Sequence, residues 1–179
     1  MTWIIIAVVI LALFGLYLSA TAGRLDRLHH RVDAAYNSLD IQLLRRSGAA
    51  LELATSGVLD PVSSLILADA AATTREDERG PYERAHAESD LTKAIAATFG
   101  SAEDAEVVCA TPSGVELIDA LAANAHRTTL ARVFYNDAVR ACREVRRQWL
   151  VRVFRLAGHT PWPRTVEMDD DIPEGLAGR

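Results

Sequence analysis

The chain has 179 residues, with 19 Lys and Arg against 24 Asp and Glu, and a formal charge of −5 with a pI near 5.5. That balance argues against a nucleic-acid partner. Alanine is abundant, aromatic residues make up only 6% of the chain, and strand-forming clusters are missing, so the composition predicts an all-α fold.

The first element is the run Thr2–Ala22, which contains no charged residue. At about 1.5 Å per helical residue, roughly twenty apolar residues cross the ~30 Å hydrocarbon core, so residues 1–23 read as a single transmembrane anchor. Trp3 at its front and Tyr17 near its back are the amphipathic aromatics expected at headgroup level. Ala20-Thr21-Ala22 also fits a signal-cleavage pattern. However, the first residues carry no Lys or Arg and the apolar run outlasts a signal h-region, which favours the anchor. Arg24, Arg27 and Arg31 follow the run closely, so the positive-inside rule predicts an N-terminus outside and a cytoplasmic domain.

Without the anchor about 155 residues remain, enough for one domain with its own core. From Gly23 to about Ser56 the apolar residues Leu25, Leu28, Val32, Ala35, Leu39 and Leu43 recur at helical spacing. No breaker separates this stripe from the span, which predicts one long helix leaving the membrane, closed by Gly57. Asp60-Pro61 reads as a cap and a first-turn proline for a second helix to about Thr74. Thr74–Pro81 reads as a polar loop, and a third helix follows from about Tyr82 to Thr98. Ser101–Val108 suggests a short helix.

Ser113 and Glu116 have capping-box spacing for the last helix. Its seam runs through Leu117, Leu121, Asn124, Thr128, Ala131, Tyr135, Ala138, Cys142, Val145 and Trp149, to an end at Gly158 and Pro161. This coiled-coil-like periodicity predicts packing in an antiparallel bundle of about four helices over residues 24–160. Residues 161–179, with Asp169, Asp170 and Asp171 among prolines and glycines, read as a flexible, solvated acidic tail. Antiparallel order returns the end of the last helix toward the lipid. There Arg146, Arg147, Arg152 and Arg155 interleave with Trp149, Val153 and Phe154, a composition suited to an anionic membrane surface. The competing reading is a solvated helix face with Trp149 in the core.

Two blocks, Arg31–Tyr36 continued by Leu39–Arg46, and Ala131–Val139, resemble the signatures of the LemA family. They stand in that family's order, with anchor, first block, variable middle, and second block in a long final helix. Ser47–Leu51, Arg143 and Trp149-Leu150 depart from the family's usual pattern and mark a divergent member. The resemblance implies a membrane-anchored antiparallel bundle without established catalytic activity. It marks Arg31, Asp33, Tyr36, Arg45, Arg46, Tyr135 and Asn136 as motif positions of structural weight.

Catalytic constellations are scarce. Asp26, His30 and Asp33 share a helix face beside His29, a donor set that suits a metal, but no second cluster completes it and exposed i,i+4 charge pairing explains it as well. Cys109 and Cys142 have no metal-ligand spacing and fit a reducing compartment; His86, His126 and His159 are isolated. Tyr135 and Asn136 predict a buried polar network, with Arg45 or Asp40 of the first helix as partner. There is no Gly-rich phosphate loop, HExxH, GxSxG or CxxC. The expectation is therefore a non-enzymatic protein without cofactor or metal. It would serve as scaffold or accessory subunit of a membrane protein complex, touching lipid and either another membrane protein or itself, with no small-molecule substrate. The alternatives are an adaptor or regulator of a membrane-bound protease or other envelope enzyme and, more remotely, a peripheral metal-dependent enzyme on the Asp26/His30 face.

Overall fold

The computed structural model describes residues 1–76 and 81–179, and among these every regular element is helical. The helices are α1 (Thr2–Thr55), α2 (Pro61–Glu76), α3 (Pro81–Thr98), α4 (Ala102–Val108), α5 (Pro112–Arg147) and α6 (Trp149–Val153), followed by a 3-10 turn at Glu174–Leu176. The expected long first helix is continuous over 54 residues. None of those residues is a proline, and the helix stops before Gly57, whose φ of +79° suits glycine at a helix C-terminus. Among the described residues α1 is the one helix long and apolar enough to cross a membrane.

Local chemistry sets the helix starts. Asp60 Oδ1 accepts from the N–H groups of Val62 (2.9 Å) and Ser63 (3.1 Å), so α2 begins at Pro61 as expected. It runs on to Glu76, and Pro81 already belongs to α3. The expected loop is thus trimmed at both ends, and its middle, residues 77–80, lies outside the described residues. Ser101 and Asp104 form a capping box at α4. For α5 the expected cap at Ser113 is wrong. Thr111 Oγ1 accepts from the Gly114 N–H at 3.1 Å, and Pro112 takes the first helical position, where a missing N–H costs nothing. A Cβ on Gly114 would lie 1.9 Å from the Val108 carbonyl oxygen, so only glycine permits this entry.

The chain divides into two compact units: residues 1–35 with 135–165, and residues 36–134 with 166–179. The second holds the main hydrophobic core. Leu53, Leu67, Leu91, Phe99, Ile118, Leu121 and Leu176 are all fully buried there, each contributing roughly 1.5–3 kcal/mol through burial. Tyr36 meets the Tyr82 ring, Asp40 meets Arg84, and Arg46 meets Glu88. Residue numbers rise together along these pairs, so α3 runs parallel to α1, with α2 packed along α3.

In the first unit every residue from Met1 to Tyr17 is exposed, and burial begins only at Thr21, Leu25 and Val32. Opposite them the seam of α5 buries Tyr135, Ala138, Cys142 and Val145. Arg146 acts electrostatically on His29, and Asp33 on Cys142, so α5 runs antiparallel to α1. The seam was expected to continue through Trp149 to Gly158. Instead α5 ends at Arg147, Gln148 turns extended (ψ 135°), and α6 starts on a new axis.

The expected loose tail is also corrected, because both of its parts are seated on helices. In the first unit Arg143 donates to the Pro163 carbonyl (2.8 Å) and Arg146 to those of Pro161 (2.6 Å) and Thr160 (2.8 Å). In the second unit Val166 and Leu176 are buried, and the Gly175 N–H donates to the Phe99 carbonyl at 3.1 Å. A Cβ on Gly175 would come within 2.5 Å of the Ser101 carbonyl oxygen. Prolines remove donors from this stretch but leave carbonyl acceptors, which arginine and threonine side chains on the helices can take up.

Candidate functional site

Two groups of polar and charged residues stand out, one buried in each unit, and a third group is exposed.

The second unit contains an ion network. Arg46 is 2% exposed; its Nη2 donates to Glu88 Oε2 at 2.7 Å and to the Glu88 carbonyl at 2.9 Å, and its Nη1 donates to Thr92 Oγ1 at 3.0 Å. The Thr92 hydroxyl donates in turn to the Asp169 carbonyl at 2.8 Å. Nearby, Arg84 Nη2 donates to Asp40 Oδ1 at 2.6 Å. Burial pushes the Glu88 carboxyl above the usual range, while Arg46 and Arg84 pull it back. With Glu88 only 1% exposed, the carboxyl is closed to any substrate, and this network is structural. A second clamp joins Arg132 to Asp170 through Nε and Nη2 at 2.8 and 2.7 Å, the bidentate geometry that makes such pairs strong.

Of the motif residues, Arg31, Asp33 and Arg45 are exposed, Tyr36 is half-buried against Tyr82, and Arg46, Tyr135 and Asn136 are buried. Tyr135 does join a polar network, but not with the expected partners. Its hydroxyl donates to the Arg164 carbonyl at 2.6 Å, whereas Asp40 holds Arg84 and Arg45 faces outward. Glu88, Arg84 and Thr92 were not singled out in the sequence, Arg132 stood there only inside the second motif block, and Asp170 only as part of the acidic tail. The signal for three of them was present: Arg84, Glu88 and Thr92 recur every four residues, a polar line down one face of α3.

The residues expected at the membrane surface divide. Trp3, Arg24, Arg27, Arg147, Arg152 and Trp149 are exposed, Trp149 by 68%, which rules out the alternative of Trp149 in the core. Arg146 is the exception. Its guanidinium is half-buried, holds the Pro161 and Thr160 carbonyls, and lies 5.0 Å from the Trp162 ring. Beyond it the Phe154 ring packs edge-on against Phe14 of α1, centroids 5.5 Å apart.

Other chemistry is thin. His30 and Asp26 form an exposed i,i+4 pair at 3.7 Å, and no group of three or more potential metal ligands exists among the described residues. Burial pushes the Cys142 thiol up, away from a reactive thiolate. A pocket of about 210 Å³ between Val58, Ser63, Thr98 and Val107 includes the carboxylates of Asp60 and Asp104, both already committed to helix caps. Comparison with known proteins returns no matching family model, no matching curated sequence and no matching solved structure.

Proposed function

We propose that this chain is a single-pass membrane protein of the LemA type. In this reading its helical bundle, on the cytoplasmic side, acts as a scaffold or accessory subunit for another membrane protein and performs no chemistry of its own. The long apolar helix and the arginines that follow it support the anchor and its orientation. The two motif blocks support the family.

One observation carries the partner role. Leu130, Val133 and Phe134 are 55%, 42% and 64% exposed, and their i, i+3, i+4 spacing puts them on a single face of α5. Ala131 on the same helix is buried, so α5 has an inner face that packs and an outer face that is also apolar. Contiguous exposed apolar side chains on a folded helix mark a surface that another molecule covers. This face falls at the start of the Ala131–Val139 block that carries the second motif.

The test is extraction from the native membrane in mild detergent, with a photo-crosslinking residue in place of Phe134. The expected result is one discrete membrane protein at near-stoichiometric amount, crosslinked through position 134. A chain that elutes alone and forms no crosslink there would overturn the accessory-subunit reading. A co-purifying protease would favour the adaptor role instead. Orientation is checked separately: an externally active phosphatase fused at Arg179 would reverse the topology.

A further inference from the structure

We propose that α6 and the turn after it form a second membrane contact, reaching beside the span from headgroup level into the acyl region and selective for anionic phospholipid. This rests on the reading of α1 as a membrane helix.

The argument starts from which side chains α6 turns inward. Val151 is 2% exposed, whereas Trp149, Val153 and Phe154 are 68%, 64% and 44% exposed. Five residues are too few to hold a helix in water by themselves, so tertiary contact sets this one. One such contact, at the C-cap of α6, is with the apolar run itself, through the Phe154 ring on Phe14. Phe14 stands eight residues before Ala22, about 12 Å along the helix axis from the end of the run. The outward face of α6 is thereby held beside the membrane-facing part of α1, where Met1 to Tyr17 are all exposed as well. In water this face would leave a tryptophan, a valine and a phenylalanine uncovered. At a bilayer interface the same residues meet acyl chains and headgroups, the environment that aromatic residues favour.

Charge selects the lipid. Arg147, Arg152 and Arg155 are exposed around this face and none has an acidic partner among the described ion pairs. Arg146 is excluded, because its guanidinium is already committed to the Thr160 and Pro161 carbonyls. Arg155 ends the turn with φ +48°, a left-handed conformation that is uncommon for arginine. Long basic side chains beside an apolar face extend their charge to the phosphate level. Near an anionic leaflet each contributes up to about fivefold in binding.

The experiment uses the full chain reconstituted in vesicles, with single-tryptophan proteins. Trp3→Phe with Trp162→Phe leaves Trp149 as the reporter, and Trp149→Phe with Trp162→Phe leaves Trp3. Fluorescence quenching is compared between brominated phosphatidylcholine, brominated phosphatidylglycerol and aqueous iodide. Quenching of Trp149 by both brominated lipids, stronger several-fold for the anionic one, is expected. That preference should fall toward one in Arg147→Gln/Arg152→Gln/Arg155→Gln. Equal quenching by the two lipids would overturn the anionic selectivity. If Trp3 is quenched by lipid while Trp149 is quenched only by iodide, or by neither agent, α6 faces water or a protein and the inference fails while the anchor stands. If Trp3 escapes the brominated lipids, the anchor reading fails first and this contact with it.

Discussion

Two stretches of α1 carry similar apolar side chains in opposite settings. Ile4, Ile5, Val8, Leu11 and Leu16 are all more than 60% exposed, while Leu39, Leu43 and Leu53 are completely buried. The difference lies in what surrounds them in the sequence. The first stretch is apolar all round, a pattern that one packing partner cannot cover and that suits a helix with an apolar solvent. The second confines its leucines to one stripe between charged residues, so neighbouring helices cover the stripe and water covers the rest. The two units also commit their polar side chains differently. The second buries a charged pair, Arg46 with Glu88, whereas the first spends Tyr135, Arg143 and Arg146 on backbone carbonyls of the C-terminal segment.

Substitutions should separate these settings. The largest effect is expected at Arg46→Ala, which leaves Glu88 buried without its cation and should cost about 3–5 kcal/mol in reversible unfolding of the detergent-solubilised chain. The paired change Arg46→Met with Glu88→Leu should restore most of that stability or exceed it, because neither charge then needs desolvation. If the single and double variants unfold alike, the pair is not the source of the loss. Next comes Leu11→Arg. It should cost roughly 3 kcal/mol of membrane insertion, read as loss from the carbonate-resistant membrane fraction, with the unfolding midpoint of the bundle unmoved. A bundle that melts earlier would mean the apolar run packs against protein instead of lipid.

Smaller effects should follow in the C-terminal segment. Asp170→Asn removes the charge of the bidentate Arg132 clamp and is expected to lower stability by about 1.5–3 kcal/mol. Tyr135→Phe deletes the hydrogen bond to the Arg164 carbonyl, a loss of about 1 kcal/mol. No change in melting temperature would show that this bond carries nothing. The smallest effect belongs to Asp60. The Ser63 side chain and the backbone N–H groups of the first turn hold its carboxyl below the usual aspartate range. Its contribution is therefore fully present above the ordinary aspartate pKa and is lost as pH falls through the depressed value. Asp60→Asn should keep α2 capped while removing that acid dependence, seen as a flatter stability profile at low pH.

Much of the architecture was legible because it rests on local rules. The uninterrupted apolar run, the stripe from Leu25 to Leu43, the Asp60-Pro61 start and the Gly57 stop each follow from spacing or backbone preference, and the helices form there. The seam of α5 was legible from Leu121 to Val145, but not its end. Nothing in Arg147-Gln148-Trp149 is a helix breaker, and α6 leaves the seam where Val151 finds burial and Phe154 finds Phe14. The Thr111 cap was missed because Ser113-x-x-Glu116 matches the capping pattern equally well, and the choice depends on how closely Gly114 approaches Val108.

Arg45 and Arg46 show the limit most plainly. They are adjacent and chemically identical, yet one is exposed and the other is 2% exposed with a buried carboxylate. By itself the sequence determined an all-α chain, one run with the length and composition of a membrane span, and the helix faces that turn inward, because periodicity and propensity act over a few neighbouring residues. Only the tertiary structure decided which arginine is paired, that Tyr135 reaches the Arg164 carbonyl, and that the C-terminal segment is seated. Those bonds join residues 14 to 77 positions apart, and no local preference encodes a partner at that distance.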